Sequence, residues 1–211
     1  MKFGGIILEG VTGTGKSTLF KMLRESNVIS LFESTFFIPQ VYTLRLVPNR
    51  GEAEYMKQML EGIHAIAGAY TNSSFASRED RRGSACSVFE GFHYYMKLDR
   101  PGCSMRATEM DIIESQLSEL GVRLVVLTVS KESVMENCVL SPIRNRGNGW
   151  KSFLSQFGSC EEEWEQYFWD RQERLLRLVH GTRLPILHIG TSSQKWDEYL
   201  REIEAWISLE D

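Results

Sequence analysis

The sequence predicts an α/β fold, one domain over residues 1–211, and three observations carry that prediction. Residues Gly10–Thr18 read GVTGTGKST, which fits G-x-x-x-x-G-K-[ST] with Gly10, Gly15, Lys16 and Ser17 at the fixed positions. A short apolar strand, Phe3–Leu8, precedes that stretch, and a helix from Ser17 to Glu25 follows it with Leu19, Phe20, Met22 and Leu23 on its apolar side. Beyond it, short apolar runs of strand type are interspersed with stretches of helical periodicity to the end of the chain.

The strand–loop–helix order gives the motif its chemistry. Glycines at 10, 13 and 15 let the backbone curl so that successive N–H groups converge on an anion. The free N–H groups and positive dipole end of the following helix add to that field. The predicted nucleotide-binding set is therefore Gly10, Val11, Thr12, Gly13, Thr14, Gly15, Lys16, Ser17 and Thr18. Lys16 reaches the β- and γ-phosphates, the Ser17 hydroxyl ligates Mg²⁺, and Thr18 contacts the α-phosphate side.

The next apolar run, Val28–Phe32, reads as the second strand and puts Glu33 at its carboxyl end. Ligands gather outside the carboxyl ends of parallel strands, so Glu33 is a candidate general base on an acceptor hydroxyl. Ser34–Pro48 is irregular and aromatic. Phe36 there suits either a stacking wall for a flat acceptor or an apolar flap on the core. Gly51–Tyr70 has helical spacing of core residues. Thr71–Ser84 is a polar loop whose Arg78 suits a substrate phosphate as well as it suits solvent. Ala85–Phe89 is a buried-type strand that delivers Glu90, a candidate metal partner of Ser17, followed by His93, which faces either the acceptor or the core.

Thr108–Leu120 reads as an amphipathic helix ended by Gly121, and Val122–Val129 as a central parallel strand. Lys131–Leu140 is helical, and Pro142 is expected to stop it. Residues 141–158 then form a Gly- and Asn-rich lid carrying Arg144 and Arg146. Ser159 and Glu162 read as a capping box for a helix from Cys160 to His180. Leu184–Ile189 is the last strand and Gln194–Leu209 the closing helix.

Composition narrows the function. Net charge is −4 with both signs interspersed and no long basic run, so no nucleic-acid footprint is expected. The four cysteines are far apart, which fits neither a zinc site nor a disulfide framework and suits a reducing cytoplasm. No stretch is long and apolar enough to suggest a membrane span.

Leu8-Glu9-Gly10 entering the loop, an acid after the second strand, an acid after the third, an arginine-bearing lid and a closing strand–helix pair together resemble the P-loop nucleoside and nucleotide kinases, of thymidylate kinase and deoxynucleoside kinase type. The resemblance implies a P-loop NTPase three-layer fold: a five-stranded parallel sheet flanked by helices, with an arginine-containing lid. It implies ATP as donor, Mg²⁺, and a small-molecule acceptor such as a nucleoside or nucleotide, and homodimers occur among the kinases resembled. Glu33 falls on the family's Glu-Pro position, with Ser34 in place of the proline, and Glu90 on its acid–arginine motif, with Gly91 in place of the arginine. The expected activity is transfer of the ATP γ-phosphate, with Lys16, Glu33, Arg144 and Arg146 as catalytic residues. A P-loop ATPase or a GTPase-type switch is the alternative. Asp99-Arg100-Pro101-Gly102 matches D-x-x-G, but no N-K-x-D guanine reader accompanies it.

Overall fold

The computed structural model describes residues 3–26, 34–39, 52–71, 85–99 and 106–208. Its elements in chain order are β1 (Phe3–Glu9), α1 (Lys16–Arg24), β2 (Ser34–Ile38), α2 (Glu52–Thr71), β3 (Ala85–Glu90), α3 (His93–Asp99), α4 (Ala107–Glu119) and β4 (Val122–Thr128). A short α5 (Lys131–Val134) then runs into a π-helical segment (Met135–Leu140), followed by α6 (Ser141–Arg146), α7 (Asn148–Leu154), α8 (Glu161–Val179), β5 (Ile186–Gly190) and α9 (Trp196–Ser208). The strands form one sheet of five, in the order β2-β3-β1-β4-β5, and every pairing is parallel. Parallel neighbours need crossovers, and the intervening helices supply them on both faces.

Alternation along β1 explains the layering. Ile7 points to one face and packs with Phe89, Leu124 and Val126 against α2, α4 and α8, through Leu60, Leu117 and Leu175 among others. Ile6 and Leu8 point to the other and pack with Val88, Val125 and Leu127 against Leu19 and Leu23 of α1 and Ile203 of α9. A third apolar cluster joins Val11 of the loop to Val134, Cys138, Leu154 and Phe168, seating the π-helical segment and α7 on α8.

The second strand departs from the sequence expectation. The apolar run 28–32 lies outside the described residues, and the strand paired with β3 is Ser34–Ile38, with Ser34 beside Ala85 and Ile38 beside Phe89. Two adjacent runs of similar apolarity compete here, and strand type alone does not choose between them. Its consequence is functional. Glu33 precedes this strand in sequence instead of following it, and is itself outside the described residues. The position that ends the strand before a proline is Ile38-Pro39.

Three smaller corrections follow. Pro142 does not stop a helix; it occupies the first turn of α6, where its missing N–H costs nothing. The stretch 141–158 is largely helical, as α6 and α7 joined at Gly147, instead of an irregular loop. Cys160, extended at φ −140°, takes the N-cap place before α8. Glu163 instead of Glu162 reaches back, accepting from the Ser159 N–H at 2.7 Å.

Candidate active site

The sheet order decides where the site lies. β1 is central, so the loop after it opens between the β3/β2 carboxyl ends on one side and the β4/β5 carboxyl ends on the other. A cavity of about 1020 Å³ fills that opening. This is at the upper end of the range for small-molecule sites, enough for a nucleotide and an acceptor together. Thr12, Gly13, Gly15, Lys16, Ser17 and Thr18 form its floor.

Two glycines give the loop its shape and its neighbours. Gly13 and Gly15 have φ of 91° and 88°, which side-chain-bearing residues rarely adopt. A Cβ on Gly13 would run into the Asn137 carbonyl, and one on Gly15 into the Trp196 ring. The loop is thus held between the π-helical segment and the start of α9. Within it, the Thr14 hydroxyl donates to the Val11 carbonyl at 2.8 Å. Val11 and Thr14 are buried, Val11 in the apolar cluster beneath, and with Gly10 they shape the loop without lining the cavity.

Lys16 is buried, and its Nζ donates to the Gly10 and Val11 carbonyls at 2.6 and 2.9 Å. It lies 5.5 Å from the Tyr95 ring centroid. The ammonium is therefore already at the loop mouth, held by carbonyl oxygens that a phosphate would outcompete. Ser17 Oγ donates a hydrogen bond to a Glu90 carboxylate oxygen. This brings together the two oxygen ligands the sequence assigned to Mg²⁺, from α1 and from the end of β3. A hydroxyl, a carboxylate and incoming phosphate oxygens are the hard donors Mg²⁺ prefers, so the residues fit the ion. Among the described residues no group of three His, Cys, Asp or Glu forms a separate metal centre, and the glutamates at 161–163 simply face the α8 dipole.

Arg144 and Arg146 separate. Arg146 lines the cavity, its guanidinium 4.6 Å from the Trp150 ring centroid. Arg144 turns outward into an ion pair with Glu136, where both side chains are exposed. Spacing i, i+2 on a helix sends the two side chains in different directions, so one helical segment delivers only one of them.

The acceptor residues read from sequence fare differently. Phe36 packs against the core cluster on the α2 face and does not line the cavity. His93 is 0% exposed, its ring tilted against that of Tyr94 with centroids 4.2 Å apart, and its Nε2 is 3.4 Å from Glu114 Oε1. Both side chains serve packing, as the bland alternative for each had it. Arg78 and Glu33 lie outside the described residues. In their place the cavity has Lys21, Pro39 and Tyr95 on the β2/β3 side and Asn137, Gln194 and Trp196 on the β4/β5 side. Gln194 Nε2 donates to Asn137 Oδ1 at 2.9 Å, closing that wall. Lys21 was missed, though its place one helical turn beyond Ser17 on the same face is the signal that could have found it. Asn137 and Gln194 carry no local signal and meet only through the fold.

Gly91 replaces the arginine of the resembled kinases, and its conformation accounts for it. Its φ is 72°, and a Cβ would sit 3.3 Å from the Tyr95 side chain. Behind it lies Glu9, fully buried, whose Oε1 accepts from the Phe92 and Tyr95 N–H groups at 2.9 and 3.3 Å. Burial pushes the Glu9 carboxyl above its ordinary range, against the pull of His93, the Phe92 and Tyr94 backbone N–H groups and Lys16. Glu9 thereby fixes the start of α3, and with it Tyr95, beside the cavity. Further back, Glu114 accepts from the Tyr94 hydroxyl and from the Arg183 N–H at 3.0 Å. Burial would raise the Glu114 pKa, but these bonds and His93 outweigh it and hold it at about 2.

No protein-family model and no curated protein sequence matches the chain. Among solved structures it is similar to the YorR protein of Bacillus subtilis, in a complex with phosphorylated GDP, at TM-score 0.61 and 14% identity over 98% of this chain and 96% of that one. Shikimate kinase from Bacteroides thetaiotaomicron aligns at TM-score 0.49 and 14% identity, over 98% of this chain and 99% of that one. Deoxyadenosine kinase from M. mycoides aligns at 0.45 and 14%, over 96% and 98%. At such identity the first of these bears on the fold alone, and the other two carry no weight. The expected fold is met in its sheet: five parallel strands flanked by helices, with the glycine-rich loop after the central strand.

Proposed function

We propose that this chain is an ATP-dependent phosphotransferase that moves the γ-phosphate to a small-molecule acceptor, a nucleoside, a nucleotide or a related hydroxyl compound. The observation that carries the reading is the Ser17–Glu90 contact at the mouth of the loop, with Lys16 and Arg146 lining the same cavity. A nucleotide-binding site alone needs the loop. Phosphoryl transfer also needs charge placed where the transferred group will be, with room opposite for a nucleophile.

In this reading the loop N–H groups hold the α- and β-phosphates and Lys16 leaves the Gly10 and Val11 carbonyls for the β- and γ-phosphates. Mg²⁺, held by Ser17 and Glu90, would neutralise charge on the β- and γ-oxygens. Arg146, on the segment over the cavity, meets the charge that develops on the equatorial oxygens, and closure of 141–158 as a lid excludes water. Asn137, Gln194 and Trp196 surround the donor's remote end. The free thiols Cys86 and Cys138 are buried, in keeping with a reducing cytoplasm. No described helix is long and apolar enough to cross a membrane.

The test is ADP release with Mg-ATP against a panel of acceptors. Acceleration by at least one acceptor class over ATP alone is expected. Equal rates with and without every acceptor would replace the kinase reading with that of an ATPase.

A further inference from the structure

We infer that Trp150 is the positioning residue for Arg146: its indole holds the guanidinium at the cavity, at the end of an aromatic ladder anchored to the sheet. The inference rests on the phosphotransferase reading for what Arg146 does, and goes beyond it in saying what places that charge.

The two arginines of α6 are held by different forces. Arg144 meets a carboxylate, Glu136, with both side chains exposed. Among the described residues Arg146 has no carboxylate partner. Its guanidinium lies 4.6 Å from the Trp150 ring centroid, within the distance at which a ring quadrupole attracts a cation. Both residues line the cavity. Continuous helical spacing does not make this contact. α6 ends at Arg146 and α7 begins at Asn148, and the chain turns between them at Gly147, with φ 66° and ψ −156°, a conformation that only glycine adopts readily.

The indole is itself fixed. Trp150 stacks on Phe153 with ring centroids 4.7 Å apart, Phe153 meets Phe157 edge-on at 5.0 Å, and Phe157 stacks on Tyr167 at 4.1 Å. Tyr167 belongs to α8, and Gln172 ties that helix to the end of β4. Its Oε1 accepts from the Val129 N–H at 2.9 Å and its Nε2 donates to the Val129 carbonyl at 2.8 Å. A long side chain loses much rotamer freedom when it is fixed. The ladder meets part of that loss for Arg146 in the folded chain, before any phosphate arrives.

Tryptophan at 150 fits this task better than another apolar residue. Its Nε1 is buried and has no hydrogen-bond partner among the described residues. A buried donor left unmade is destabilising, and phenylalanine or leucine would fill the place without one. In return the indole presents the best cation-attracting face among side chains. A ring also differs from a carboxylate in what it leaves behind. A carboxylate neutralises the guanidinium and takes its N–H donors, as Glu136 does to Arg144, whereas a ring leaves both the charge and the donors to phosphate oxygens.

The experiment measures ADP release by the full chain with Mg-ATP and the acceptor that accelerates it most. The variants are Trp150→Leu, Trp150→Phe, Phe157→Leu and Arg146→Gln, and each ring substitution combined with Arg146→Gln. Trp150→Leu should lower kcat about tenfold with the ATP KM within about twofold, and Trp150→Phe, which keeps a ring face, should recover most of the loss. Phe157→Leu, one rung behind and off the cavity lining, should lower kcat about threefold, and it keeps the test open if Trp150→Leu does not fold. With Arg146→Gln in place, each ring substitution should cost less than about twofold, because no cation remains to be placed. A second readout needs no turnover. The Trp150 share of the fluorescence, wild type minus Trp150→Phe, should differ from the same difference taken with Arg146→Gln in both proteins. Ring substitutions that cost as much without Arg146 as with it overturn the inference and leave the kinase standing, as do identical difference spectra. A raised ATP KM at constant kcat also overturns it, and makes Trp150 a wall of the nucleotide site. ADP release that no acceptor accelerates overturns the kinase reading itself, and the same variants read on ATP alone, with the difference spectra, then decide the Trp150–Arg146 coupling separately.

Discussion

The two sides of the cavity are built by different means. In the proposed reading the donor side is local: nine consecutive residues, Gly10–Thr18, would supply the phosphate cradle, the lysine and one metal ligand, and the backbone there includes glycines at φ 91° and 88°. The opposite side, where the proposed reading puts the acceptor, is assembled from three separate elements: Lys21 on α1, Pro39 after β2, and Glu90 with Tyr95 around the β3–α3 junction. A local motif keeps its chemistry as long as the flanking strand and helix form. An assembled wall changes chemistry with each element that moves, so the β3–α3 junction, where Gly91 and Tyr95 meet, can take a different acceptor while the donor loop is unaltered.

Variants should respect that division. Lys16→Ala attacks the donor side directly, and loss of a charge aimed at the transferring phosphate should lower kcat/KM on the order of 10³-fold, about 4 kcal/mol, with the thermal midpoint little changed. Arg146→Gln should cost about 10²-fold in kcat with KM for ATP nearly constant, because the charge acts in the transition state. Arg144→Gln, in an exposed pair with Glu136, should stay within about twofold; equal losses at the two arginines would mean that the segment rotates before reaction. Glu90→Gln and Ser17→Ala should each lower kcat by roughly tenfold and raise the Mg²⁺ concentration needed for half-maximal rate. Because the two share one site, the double variant should cost clearly less than the product of the singles; full additivity would separate them.

How far each side was legible in the sequence follows the same line. The loop, its strand and its helix could be read directly, because four positions at fixed spacing, Gly10, Gly15, Lys16 and Ser17, encode one backbone shape. So could β4 and α8, where long apolar or amphipathic patterning leaves one solution. Glu90 was legible because a turn residue, Gly91, follows an unambiguous strand. The second strand was not, since runs 28–32 and 34–38 have similar character and only the pairing with β3 selects Ser34–Ile38. Glu33 thus precedes β2 in sequence and lies outside the described residues. Arg144 and Arg146 looked equivalent as loop residues and became different once a helix held them. Asn137 and Gln194 are 57 positions apart, and their contact exists only in the folded chain.

The smallest effect on turnover should come from the buried network behind the acceptor wall, and there the reading is in stability and pH. Glu114 is held at about 2 by bonds from His93, Tyr94 and the Arg183 N–H, against an ordinary value of 4.5. A carboxyl with a folded pKa below its unfolded one stabilises the fold fully above the unfolded value and loses that contribution as pH falls towards the folded value. Between about pH 4.5 and pH 2, then, part of the acid destabilisation of this chain belongs to Glu114. Glu114→Gln should lower the thermal midpoint at neutral pH, by about 1–3 kcal/mol for buried hydrogen bonds left half-made, and flatten the fall across that window. Glu114 does not line the cavity, so kcat at neutral pH and moderate temperature should stay within about twofold. Thermal unfolding followed from pH 2 to pH 7 for both proteins measures the first effect, and steady-state ADP release the second. A large loss of kcat with an unchanged midpoint would make the His93–Tyr94–Glu114 cluster part of the acceptor wall, and the division between a site and its support would have to be drawn one layer deeper.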